Sequence, residues 1–113
     1  MDEKIIDGVN EALEGSKIDE LALEFEASKL NPKLLRLCPS KTIMFGCIDN
    51  GTHEIENPSS IADKLLAASQ HMSAEQIQAA PDCGLLPLPL GIAREKLKAM
   101  VAGAQQARAA LKV

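Results

Sequence analysis

Three residues able to do polar chemistry stand where apolar segments stop. Glu24 closes Leu21-Ala22-Leu23, Asp49 follows Thr42-Ile43-Met44-Phe45-Gly46-Cys47-Ile48, and Cys83 lies in the turn Pro81-Asp82-Cys83-Gly84-Leu85. An ionised thiol is a nucleophile and a soft metal ligand, and a carboxylate is a base or an oxygen ligand. Each also has an ordinary role. Cys83, flanked by Pro, Asp and Gly, is poorly explained by packing alone, which leaves a metal ligand or a structural thiol. Glu24 is a ligand or a solvated strand end, and Asp49 either positions a substrate or supports the Asn50-Gly51 turn. Cys47, inside an apolar run, reads as a small hydrophobe, and Cys38, before Pro39, as a surface or packing thiol. His53 sits in a polar loop at the same edge. With Glu24, Cys47 and Cys83 it makes a set whose ligand types suit a tetrahedral metal. His71, before Met72-Ser73, reads as exposed.

The elements that must position these residues follow from periodicity. Ile5, Ile6, Val9, Ala12 and Leu13 recur at helical spacing, which predicts a helix over Asp2–Glu14 with Gly15 as a left-handed cap. Leu21–Phe25 alternates as a strand and carries acids at Glu24 and Glu26. Asn31-Pro32 reads as a cap and first turn for a short helix through Leu37. Thr42–Ile48 is almost wholly apolar, the pattern of a strand covered on both faces. Asn57-Pro58 repeats the cap-plus-proline start before a helix whose inner stripe is Ile61, Leu65, Leu66 and Ala68. Gln76–Ala80 is weak as a strand by propensity but falls where alternation demands one. From Gly91 to Leu111 a long helix is expected to bury Ile92, Leu97, Met100, Val101, Ala104 and Leu111, with its Lys and Arg residues outside. The order predicts an α/β fold with a parallel sheet, in which chemistry gathers at the carboxyl ends of the strands. Those ends hold Glu24, Asp49 and Cys83.

Composition narrows the function classes. At 113 residues the chain is one domain, far short of the roughly 250 residues of a complete eight-fold α/β barrel. Hydrophobic residues at 46% and charged residues at 25% provide for a folded core. Aromatic content of 2% removes the stacking platforms of single-strand readers, and a net charge of −4 disfavours phosphate backbones. No run approaches the ~18 apolar residues of a membrane span. Three cysteines without a secretory leader or close even spacing predict a reducing, cytoplasmic setting, with free thiols or a metal thiolate. No Gly-rich phosphate loop and no nucleophile-elbow pattern occurs.

In order and spacing, Leu21-Ala22-Leu23-Glu24-Phe25-Glu26, Phe45-Gly46-Cys47-Ile48-Asp49, Glu54-Ile55-Glu56, Pro81-Asp82-Cys83-Gly84-Leu85 and Ala93-Arg94-Glu95-Lys96-Leu97 resemble the last part of the catalytic barrel of cobalamin-independent methionine synthases and related zinc methyltransferases. The Pro-Asp-Cys-Gly-Leu element is the specific one. The resemblance implies that residues 1–113 form a partial barrel, the last three β/α units. It also implies a zinc ion held by a His-x-Cys pair, a Glu and a final Cys, and methyl transfer from a donor such as a methylated folate to a thiol such as homocysteine. By motif match Cys83 is the final cysteine ligand, Glu24 the carboxylate ligand and Asp49 an acid of the catalytic site. No His-x-Cys pair occurs in this chain, and Asn50-Gly51 stands where the family's methionine synthases carry a proton-donating His.

A three-stranded piece of a barrel has open edges and one uncovered face, which predicts self-association or a partner chain that completes the barrel. Two other classes stand beside the methyltransferase. One is a non-catalytic remnant or small oligomeric binding protein. The other is a thiol or metal carrier using Cys47, His53 and Cys83.

Overall fold

The computed structural model describes residues 3–112, with side chains from Gly8 onward. The chain runs α1 (Glu3–Glu14), β1 (Glu20–Glu24), a 3-10 turn (Pro32–Leu37), β2 (Thr42–Ile48), α2 (Pro58–Ser69), a second 3-10 turn (Ala74–Gln76), β3 (Ile77–Pro81) and α3 (Leu90–Leu111). The strands form one parallel sheet in the order β1-β2-β3. This is the α/β architecture that the alternation predicts. The expected helix start at Asp2 and the apolar side chains Ile5 and Ile6 lie outside the described residues.

The two Asn-Pro starts work as their chemistry requires. Asn31 accepts the amide of Lys33 at 2.9 Å and Asn57 that of Ser59 at 2.8 Å, each satisfying a helix donor that has no carbonyl partner. The core lies on the helix-covered face of the sheet, where Ile43, Phe45 and Cys47 of β2 are buried with Ile61, Leu65 and Ala68 of α2. Phe25 stacks on Phe45 with ring centroids 4.4 Å apart. On the other face Ala22 and Gln78 are exposed and Met44 is 39% exposed, and both β1 and β3 are edge strands.

Three expectations are corrected. No described glycine takes a positive φ, so Gly15 is not a left-handed cap; α1 ends instead with the amide and hydroxyl of Ser16 on the Leu13 carbonyl. In α1 Val9 is 46% exposed and Asn10 is the fully buried residue, its Nδ2 donating to Leu34 O at 3.3 Å. In α3 the buried stripe is Lys96, Ala99, Gly103 and Ala107, while Leu97, Val101 and Leu111 are exposed. The reason is steric. Gly103 faces α2 so closely that a methyl there would stand 2.6 Å from Ile61 and 2.8 Å from the Pro58 carbonyl. Small residues let the two helices approach, and that sets the rotation of α3 against its larger apolar side chains.

Candidate functional site: the carboxyl edge of the sheet

Because the strands are parallel, their carboxyl ends share one edge. The ladder between β1 and β2 closes at Glu24↔Gly46, and that between β2 and β3 closes at Ile48↔Pro81 after an irregularity next to Gly46. Glu24, Asp49 and Cys83 therefore fall on the same edge. Glu24 and Cys83 are exposed there and Asp49 is half-buried. Asp49 is held from both sides of its peptide. Its amide donates to Glu56 Oε2 at 2.9 Å, its carbonyl accepts Lys96 Nζ at 2.9 Å, and its Oδ1 accepts the Gly51 amide at 2.8 Å, the turn role foreseen for it.

The cysteines separate by burial. Cys38 and Cys47 are fully buried and Cys83 is exposed. Burial pushes the Cys47 thiol up to about 11, against the bond its Sγ makes to Ala80 O, and also raises Cys38. Among the described residues Cys47 joins no group of three or more candidate metal ligands with Cys83. His53 is exposed in its loop. His71 is only half-exposed, its Nδ1 accepting Arg36 Nε at 2.8 Å.

Charged residues outside the candidate site set of Glu24, Asp49 and Cys83 hold this edge together. Lys96, a helix residue that reads as solvated, is fully buried. Its Nζ donates to Asp49 O, to Glu54 O at 2.7 Å and to both Glu56 oxygens at 3.0 and 3.1 Å, and so pins the β2–α2 loop. Glu26, just past β1, is paired with Lys64 and Lys29. Asp82 is buried at 9% exposure and takes no cation partner among the described residues. Its Oδ1 accepts the Glu26 amide at 3.2 Å and its Oδ2 the Ala27 amide at 2.7 Å. Desolvation raises the Asp82 pKa despite these two donors, with Glu24 and Glu26 adding in the same direction. Gly46 in an otherwise bulky strand was the available signal, since a side chain there would overlap the Asp82 carboxylate.

The metal expectation can be tested on the same geometry. A catalytic zinc takes three protein ligands and a tetrahedral structural zinc four. Among the described residues no group of three or more His, Cys, Asp or Glu stands close enough to hold a metal ion. Cys83 and Glu24 supply two candidate donors, so these residues alone do not fit a zinc site. No described helix is long and apolar enough to cross a membrane.

Residues 3–106 match the family model for the catalytic domain of cobalamin-independent synthases. The chain belongs to that family. It is 32% identical over 90 residues to a methionine synthase of Methanothermobacter thermautotrophicus, covering 78% of this chain and 29% of that protein. It is 33% identical over 100 residues to a methionine synthase of Sulfurisphaera tokodaii, covering 88% and 30%. The structure of a B12-independent methionine synthase from Shewanella sp. W3-18-1, in complex with selenomethionine, superposes with a TM-score of 0.88 at 36% identity, covering 91% of this chain and 30% of that one. The chain thus spans about 30% of the length of the relatives it matches.

Proposed function

We propose that this chain is a portion of a zinc-dependent, cobalamin-independent methionine-synthase-like methyltransferase: one partial-barrel domain over residues 1–113, working in the cytoplasm. Family membership carries the reading, together with the Pro-Asp-Cys-Gly-Leu turn at the same sheet edge as the ends of β1 and β2. In this reading a methyl group passes from the nitrogen of a donor such as a methylated folate to the sulfur of a thiol such as homocysteine. Cys83 and Glu24 are two of the zinc ligands and Asp49 acts on the substrate side. Glu26 is a second reading for the carboxylate, because its backbone is held beside the Cys83 loop by Asp82.

Two donors do not complete a zinc site, and a second copy of this chain would bring no His-x-Cys pair. The missing ligands and strands are those of the family's earlier barrel segments, and a companion polypeptide that carries them would pair with the open edges of β1 and β3. The test is formation of methionine from homocysteine and a methylated folate by the chain, by such a companion and by the two mixed, with zinc. Activity in the mixture alone, lost in Cys83→Ser, is the expected result, and Glu24→Gln against Glu26→Gln identifies the carboxylate. A folded complex without activity would favour the non-catalytic remnant, which the lack of a complete ligand set among the described residues also supports.

A further inference from the structure

We propose that Asp82 is a positioning residue that fastens the turn after β1 to the Cys83 loop, through the space left by Gly46, and so fixes the separation of the carboxylates at the end of β1 from Cys83. The proposal rests on the reading above only in taking this edge as the site.

The geometry is specific. The β1–β2 ladder ends at Glu24↔Gly46, so the sheet does not order the backbone beyond it. The next amides, those of Glu26 and Ala27, are taken instead by the two oxygens of Asp82, 56 and 55 residues away in sequence. To reach them the carboxylate crosses β2, and it can do so only over a residue with no side chain. A Cβ on Gly46 would overlap Asp82 Oδ1 and would stand 3.0 Å from Asp82 Cα. The loop is tied to β2 as well, because the Asp82 amide donates to Ile48 O at 2.9 Å and Asn50 Nδ2 donates to Gly84 O at 3.2 Å. Cys83 is therefore bracketed by bonded residues on each side while its own side chain stays exposed.

Burying a carboxylate without a cation is costly unless hydrogen bonds to its charged form compensate. Two backbone amides aimed at one carboxylate are such a set, and charge-assisted bonds of this kind are short and stronger than neutral ones. A bond that only strengthened the sheet would lie inside the ladder. This one lies past its end, where the candidate ligands are.

Cys83 is the exposed thiol of the three, so a nitroxide can be attached there in the native chain while Cys38 and Cys47 stay protected. Broadening of backbone amide signals then reads distance from the label. The expected result is loss of the Glu26 and Ala27 amide signals in the labelled wild type and their recovery in labelled Asp82→Ala. In unlabelled Asp82→Ala the same two amides should exchange with solvent about tenfold or more faster, as befits a lost bond to a charged group. Asp82→Asn, which keeps one acceptor oxygen, should fall between. Gly46→Ala, which leaves the charge but removes its place, should behave as Asp82→Ala does. A residue that contributed stability alone would lower the unfolding temperature and leave the label-to-amide broadening of the folded chain unchanged. That result, in whichever of the three variants folds, would overturn the proposal. None of these readouts requires metal or turnover, so a failed methyl-transfer assay would not decide the matter.

Discussion

Burial keeps the Cys47 thiol protonated at neutral pH. The thiol is fully enclosed and raised to about 11, so native protein should take up one equivalent of an alkylating reagent, at Cys83, and three equivalents once denatured. The pH dependence has a definite sign. The folded state binds the Cys47 proton more tightly than the unfolded chain, whose thiol ionises near 9.0, so stability is retained below that value and lost as pH rises through about 11. Urea unfolding from pH 8 upward should show this loss, and Cys47→Ala should remove part of it. Lys96 makes the opposite kind of prediction. Replacing it with Met leaves Glu56 and two loop carbonyls without their cation, and removing one partner of a buried pair costs about 3–5 kcal/mol. A denaturant midpoint within experimental error of wild type would contradict that assignment. Neither Lys96 nor Asp82 was legible as a buried residue, because a charged letter on a helix or in a turn reads as solvated until its partners, 40 or more positions away, are known. Glu24, Asp49 and Cys83 were legible because each stands where an apolar run stops, and a parallel sheet brings such ends to one edge.

The helices and strands lie close to where periodicity, Asn-Pro caps and apolar runs put them, since those signals act within a few residues. The rotation of α3 was not readable in the same way. Leu97, Val101 and Leu111 carry the greater apolar weight, yet the smaller Ala99, Gly103 and Ala107 are buried, because closeness to α2 decides the outcome. Gly103→Ala should therefore destabilise the chain by about 1–3 kcal/mol through overpacking against Ile61, despite Ala being the better helix former. A gain in thermal unfolding temperature would show that the two helices can move apart freely. The same rotation leaves a groove of about 610 Å³ along β3, α2 and α3, lined in part by Leu65, Ile77, Met100 and Val101. It runs beside the open β3 edge.

At the scale of the molecule, Ala22, Met44 and Gln78 stand exposed on one sheet face, two strand edges are open among the described residues, and the chain matches about 30% of the length of its relatives. An isolated partial barrel with these surfaces is expected to associate, and among the described residues its candidate metal donors, Glu24 and Cys83, number two where a catalytic zinc needs three. The central claim is that this chain contributes Cys83 to a zinc site whose other ligands come from the family's earlier barrel segments. Native mass spectrometry with zinc present tests it most directly, on the chain alone and with a companion bearing the His-x-Cys segment. The account predicts a metal-free chain alone and one zinc in the complex, lost in Cys83→Ser. Zinc retained by the complex after that substitution, or held tightly by the chain alone, would contradict it.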